Sequence, residues 1–271
     1  MIDAASPHRS EAFTFPSPSS ALEKFGVKFS GGGSHISRTM MLSELEAVLN
    51  NVPIEATAAD YREAILNKNV LGKTTDSTRE KSLRHLRELY ALDKATALFG
   101  LLRRLHSLDV TSLPLLAVQV AWARDPLLRA TTPPIMQAVE GERVETGSLA
   151  SALNVTFADQ YSELNRNKIA RNAASSWTQS GHLVGRARKT RRTIQPSAAA
   201  ITLALFLGDA TGSHGAGVFD SPWCRLLDLC PDRARTMGLE AHRAGLLNLR
   251  AVGEVVELSF PLLAEFQVRE S

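Results

Sequence analysis

The amino-acid sequence predicts a mainly α-helical fold that carries two short β-hairpins. Apolar residues recur at intervals of three and four residues through most of the chain, whereas strand-like alternation occurs twice, each time after a glycine that ends a predicted helix. The 271 residues, of which 44% are hydrophobic, are enough to bury a sizeable core. We expect a flexible arm over residues 1–28, a helical domain over 29–147 and a second domain over 148–271.

The N-terminal arm is rich in serine and contains three prolines, a composition typical of a loosely held segment. Phe13, Phe15 and Phe25 nevertheless indicate that part of it docks on the domain. The glycines at 31–33 precede a helix predicted from Ser37 to about residue 50. No Gly-Lys-Ser/Thr sequence follows them, so a turn that admits the helix is favoured over a phosphate-binding loop.

Residues 57–92 have the pattern of a helix-turn-helix unit. Helices are predicted over 58–67 and 77–90, with Thr75 or Asp76 capping the second. The apolar stripe of the second helix leaves an exposed face with Lys73, Thr78, Arg79, Lys81, Ser82 and His85. Hydroxyls and cations near the start of such a helix are typical of DNA recognition, although an ordinary helical hairpin would have the same pattern. The candidate DNA contacts of this unit are Lys73, Thr78, Arg79 and Lys81.

Apolar helices broken by prolines are predicted from residue 94 to about 138, followed by an acidic linker over 139–147. Short helices are then expected at 148–153 and 157–164. The tail repeats a helix, glycine and hairpin order: helices over 222–229 and 232–244, then a hairpin whose strands flank 252–254. Because this hairpin carries Glu254 and Glu257, we expect it to be structural or to bind a partner protein.

The segment 165–193 is the strongest functional candidate, because it holds eight cations and no carboxylate in a chain of net charge +3. These cations, predicted to bind phosphates, are Arg166, Lys168, Arg171, Arg186, Arg188, Lys189, Arg191 and Arg192. Apolar residues ending at Trp177 predict a helix over 165–180 with a core-facing tryptophan, and Gly181 ends it. A basic ribbon follows, so the region 148–194 resembles a winged helix.

Four polar residues of the predicted recognition helix are candidates for base contacts: Asn167, Asn172, Ser176 and Gln179. His85 and His182 lie within basic elements and are further candidates for phosphate contact. The alternative for the whole segment is a solvated charged face, which normally mixes both signs of charge. The absence of carboxylates therefore favours a nucleic-acid partner.

Two stretches resemble the BrxA family, small accessory proteins of bacterial BREX (bacteriophage exclusion) defence systems. The first runs from Lys28 to Tyr90 and includes FSGGG, SRTMMLSELEAVL and DYREAILNKNVLGKTTDSTREKSLRHLRELYAL; the second is KIARNAASSWTQSGHL, residues 168–183. The resemblance covers most of residues 28 to about 260 and carries no catalytic signature. It implies a largely helical, DNA-binding, non-enzymatic protein that is encoded with a methyltransferase, ATPases and other defence components.

Patterns for other functions are weak. The seven histidines and two cysteines lack metal-ligand spacing, and Gly212–Gly215 departs from the G-x-S-x-G nucleophile motif. We therefore expect no enzyme activity, cofactor, metal or small-molecule substrate, and a cytoplasmic protein without a membrane span. The expected partners are double-stranded DNA and other BREX components. A protein–protein adaptor for a defence complex and an RNA-binding protein remain the alternatives.

Overall fold

The computed structural model describes residues 15–252 and 255–266 and shows a mainly helical fold with two small antiparallel sheets. The first helices are α1 (Ser20–Phe25), α2 (Leu42–Asn51), α3 (Ala58–Leu66), α4 (Asp76–Tyr90), α5 (Ala97–Leu108), α6 (Leu113–Arg124), α7 (Pro126–Ala130) and α8 (Thr132–Gln137). The later elements are α9 (Thr146–Phe157), α10 (Glu163–Gln179), β1 (Leu183–Val184), β2 (Thr190–Arg191), α11 (Ala198–Ala210), α12 (Pro222–Leu226), α13 (Pro231–Arg243), β3 (Asn248–Val252) and β4 (Val255–Ser259).

Helices α6 and α11 form the centre of the molecule. Each is apolar on nearly all sides, as a helix surrounded by other helices must be. Helix α11 packs on α5 and α6 as well as on α12 and α13, so the C-terminal region shares a core with the N-terminal helices. The buried apolar side chains form one cluster from Leu22 to Leu263, and the predicted domain boundary at residue 147 does not interrupt it.

The predicted flexible arm is wrong for residues 15–28. Phe15 packs edge-on against Trp122 with ring centroids 5.1 Å apart, and α1 buries Phe25 against the core. The composition of the arm suggested disorder, because ordering such a segment costs chain entropy. Burial of the two aromatic rings offsets that cost. Phe13, also predicted to dock, lies outside the described residues.

The two helices predicted for residues 57–92 are confirmed as α3 and α4. Thr57 and Asp60 form a capping box at the start of α3, and the Thr75 hydroxyl accepts a hydrogen bond from the Thr78 amide at the start of α4. The predicted exposure of Ser82 and His85 is wrong, because both are buried. Helix α4 packs on α3, on α6 and on the 3-10 turn Ser34–Ile36, which together cover that face.

The region around α10 differs from the predicted set of three helices. Helix α9 extends to Phe157, and the predicted helix over 157–164 is replaced by a 3-10 turn, Ala158–Gln160, and the first residues of α10. The predicted acidic linker pairs instead with β2: the Val144 amide donates to Lys189 O at 2.9 Å, and the Arg191 amide donates to Glu142 O at 2.8 Å. Strand β2 therefore lies between β1 and the segment 141–144.

The helices and hairpin predicted for the tail are confirmed as α12, α13 and the β3–β4 pair, in which Arg250 lies opposite Glu257. The hairpin tip, including Glu254, lies outside the described residues. Within the residues that the structure describes, each helix is too short or too polar to cross a bilayer.

Candidate nucleic-acid interface

Helix α10 directs its apolar stripe inward and two cations outward. The predicted stripe ending at Trp177 is fully buried, and Trp177 Nε1 donates a hydrogen bond to Thr131 Oγ1 at 2.9 Å. This contact fixes the rotation of the helix about its axis. Lys168 and Arg171 consequently lie on the solvent side, one turn apart.

The turn between β1 and β2 extends this cationic face. Arg186 and Arg188 are exposed on the turn, and Lys189 Nζ donates to Thr178 Oγ1 in the last turns of α10 at 2.7 Å. Burial of its stem lowers the pKa of Lys189. Residues 168, 171, 175 and 178 lie on one side of the helix. Since Lys189 contacts Thr178 on that side, the turn continues the surface formed by Lys168 and Arg171. We call this surface the basic strip: Lys168, Arg171, Arg186, Arg188 and Lys189.

Four charges of the basic strip have no ion-pair partner in the part of the chain that the structure describes. Among the ion pairs of residues 15–252 and 255–266, none involves Lys168, Arg171, Arg186 or Arg188. Four unpaired cations along a rigid helix and turn form a positive potential that attracts an extended polyanion.

Of the other predicted phosphate contacts, Arg191 and Arg166 have internal roles and Arg192 stays exposed. Arg191 is buried: its guanidinium pairs with the Asp228 carboxylate, and Arg191 Nε donates to Ile135 O at 2.8 Å. The Arg166 guanidinium donates to the Tyr161 carbonyl in the turn before α10. Arg192 is exposed but lies close enough to Glu140 to help lower the pKa of that carboxyl, after the hydrogen bonds from Thr193. The carboxylates missing from 165–193 therefore come from elsewhere in the chain.

The side chains of three of the four predicted base contacts bond to the N-terminal region. Asn172 Nδ2 donates to His35 O at 2.8 Å, and Gln179 Oε1 accepts from the Leu42 amide at 3.3 Å. Ser176 is fully buried. Asn167, half-buried on α10, stays a prediction.

The prediction that His85 and His182 contact phosphate is wrong, because both side chains are buried. His85 is buried and its ring Nδ1 lies 3.2 Å from Ser34 Oγ. His182 is fully buried, and its ring nitrogens contact Ser180 Oγ and Leu226 O, both at 2.8 Å. Burial lowers the pKa of His182 to about 4, so the ring is neutral at pH 7 and does not attract phosphate.

The candidates on α4 and in the turn before it are mostly engaged with their own neighbours. Lys73 Nζ pairs with Glu44 at 2.9 Å, Arg79 pairs with Asp76, and the Thr78 hydroxyl lies 2.9 Å from that of Thr75. Lys81 is exposed and has no ion pair among the described residues. This unit therefore presents a weaker positive surface than the basic strip.

A buried hydrogen-bonded chain that sequence patterns do not reveal holds α10 in place. His35 Nδ1 lies 2.7 Å from Asp125 Oδ2, and His35 Nε2 lies 2.8 Å from Ser176 Oγ. The order Asp, His, Ser is that of a hydrolase triad. Here Ser176 Oγ also accepts from the Met40 amide at 2.8 Å and is fully buried, so it has no room for a substrate.

Comparison with known proteins adds no assignment. Neither a scan against models of protein families nor a search of curated proteins finds a match to this chain.

The turn of the basic strip depends on Gly185. Its φ of +101° favours glycine, and a Cβ there would lie 2.1 Å from Arg188 O. We expect Gly185→Ala to cost about 1–3 kcal/mol locally, to distort the turn and to lower duplex DNA affinity severalfold. Gly212→Ala is the matched control, since Gly212 has a φ of +94° and open space around it. Equal DNA affinities for the two variants in a fluorescence anisotropy titration would contradict a role for this turn.

Proposed function

We propose that the protein is a non-enzymatic DNA-binding accessory protein of a BREX-type phage-defence system, which holds duplex DNA mainly through phosphate contacts. The observation that carries the proposal is the basic strip, in which Lys168, Arg171, Arg186 and Arg188 are exposed and have no ion pair among the described residues. Lysine and arginine contacts to phosphates supply most of the affinity in such complexes.

The order of elements around the strip supports a winged-helix mode of binding. A helix (α8), a strand-like segment (141–144), two helices (α9 and α10) and a hairpin (β1–β2) follow one another, and β2 is the middle strand. In this arrangement α10 would approach a groove and the turn at 185–189 would lie along the backbone of the duplex. The side chains of Asn172, Ser176 and Gln179 bond within the protein, so α10 has few polar groups left to contact bases. This favours DNA binding of low sequence specificity.

The defence assignment rests on the resemblance to the BrxA family. Its two stretches, 28–90 and 168–183, are distant in the chain but pack against each other, because the turn Ser34–Ile36 contacts α10. At Gly33, directly before this turn, a side chain would collide with the Asp125 carboxylate, so the position requires glycine. We expect the gene to lie beside genes for a methyltransferase and ATPases. A locus without them would remove the defence assignment and leave DNA binding to be tested separately.

Duplex DNA is favoured over RNA and single strands, because base stacking needs exposed aromatic rings. The large exposed apolar side chains of the described residues are all aliphatic, among them Leu164 on α10 and Val184 in β1. We expect anisotropy titrations to show tighter binding of a 20-base-pair duplex than of the matching single strand or an RNA hairpin. Absence of duplex binding at 50 mM salt, or tighter binding of the RNA, would contradict the proposal.

A further inference from the structure

A cleft of about 660 Å³, whose lining includes no residue of the basic strip, lies between α3, α4 and the loop that follows α4. Its apolar part is formed by Leu83 and Ala91. Three arginines surround this part: Arg62 from α3, and Arg84 and Arg87 from α4. The volume is within the range of cavities that take a small ligand or a few residues of a peptide.

The inner wall of the cleft is cationic and rigid. Arg124 is buried, and its guanidinium donates to Gly26 O at 2.6 Å, to Glu88 O at 3.1 Å and to Arg87 O at 3.3 Å. These three carbonyls hold the group in place, and Arg124 forms no ion pair with a carboxylate of the described residues. Burial lowers the pKa of Arg124 to about 10, which still leaves it charged at pH 7.

The outer arginines are available to a ligand. Arg62, Arg84 and Arg87 are exposed and take part in no ion pair of the described residues, although carboxylates also line the cleft. One of these, Glu88, already accepts from Ser34 Oγ at 2.7 Å. The cleft therefore combines guanidinium groups that have no ion pair among the described residues with apolar side chains and some negative charge.

This mixture of charges discriminates between partners. Glu80, Glu88 and Asp93 also line the cleft, so a nucleic-acid backbone, negative at every step, would meet repulsive carboxylates there. A peptide can place carboxylates on the arginines and apolar side chains on Leu83 and Ala91. Arg84 and Arg87 lie one turn apart on α4, about 4.5 Å in rise, and Ala91 follows the last residue of that helix.

We propose that the cleft between α3 and α4 docks an acidic, partly apolar segment of a partner protein, with its carboxylates paired to Arg84 and Arg87. The site shares no residue with the basic strip. The protein would thus hold a protein partner on one surface and DNA on another, and loss of either activity would leave the other in place.

The test is fluorescence anisotropy with a labelled decapeptide of five glutamates and five leucines, titrated with the full chain. Wild-type protein should bind it, and Arg84→Ala/Arg87→Ala should weaken binding at least tenfold. Alanine is a good helix former, so this exposed double variant should keep its fold, which circular dichroism checks. The control Arg186→Ala/Arg188→Ala removes the same charge from the basic strip and should bind the peptide as the wild type does.

Three results would overturn the proposal. The first is no binding of the peptide by the wild type, or equal binding by Arg84→Ala/Arg87→Ala. The second is loss of peptide binding in the strip variant, which would show that the peptide acts as a general polyanion. The third is a loss of duplex affinity in Arg84→Ala/Arg87→Ala as large as in the strip variant, which would make the cleft part of a DNA surface.

Discussion

Replacement of Lys168, Arg171, Arg186 and Arg188 by alanine is expected to reduce the salt dependence of duplex binding more than any other change of equal charge. Each phosphate contact contributes about 0.9 to the slope of log affinity against log salt, so four lost contacts remove about 3.6. Between 50 and 200 mM salt the wild type should therefore lose roughly 100-fold more affinity than the variant. Anisotropy titrations at four salt concentrations measure both slopes.

The matched control removes four exposed arginines of the tail, Arg233, Arg235, Arg243 and Arg250, and so changes net charge by the same amount. Its slope should stay close to that of the wild type. Equal slopes for the two variants would indicate that net charge, rather than the basic strip, governs binding. Arg191 is left intact in both variants because its loss would leave the partly buried Asp228 carboxylate without its ion-pair partner.

Asp125→Ala is expected to lower the free energy of unfolding by about 3–5 kcal/mol, as removal of one member of a buried pair does. The Asp125 side chain is 1% exposed and pairs with His35. It also accepts from the Leu127 amide at 2.9 Å and the Leu128 amide at 3.2 Å, and so caps α7. The substitution leaves all of these donors buried without a partner. Urea unfolding followed by circular dichroism gives the change.

Asp209→Ala is the control, because Asp209 pairs with His214 at the surface, where the two side chains are 47% and 72% exposed. Such a pair contributes at most about 1 kcal/mol. Equal unfolding midpoints for the two variants would mean that the buried chain from Asp125 to Ser176 does not stabilise the fold.

The stability that Asp125 provides is also expected to depend on pH. Burial opposes ionisation, but the charge and hydrogen bond of His35, with further backbone hydrogen bonds, lower the pKa of Asp125 below its ordinary value. A lowered pKa in the folded state means that the stabilisation is present above the unfolded pKa of about 3.9 and is lost as pH falls through the folded value. The difference between wild type and Asp125→Ala should therefore narrow below about pH 4. A difference that stays constant down to pH 2 would contradict this account.

Local sequence patterns predicted the helices that carry the candidate site. Thr75 as a cap and the stripe ending at Tyr90 predicted α4, and the stripe ending at Trp177 predicted α10 with its tryptophan in the core. These predictions succeeded because caps and apolar periodicity act within a few turns of one helix. The prediction of a separate helix over 157–164 is wrong because it overlooked a cap. The Ser162 hydroxyl accepts a hydrogen bond from the Asn165 amide, so α10 begins at Glu163.

The sequence by itself thus determined the helices, the two hairpins and a concentration of cations at 165–193. Only the tertiary structure decided which of those cations are available. Arg191 meets Asp228 across 37 residues of chain, and Asn172 meets His35 across 137. Since a charge attracts whatever the fold brings near it, pairing between distant segments leaves no local pattern. Among the cations of the predicted segment, this pairing leaves Arg192 and four residues of the basic strip exposed: Lys168, Arg171, Arg186 and Arg188.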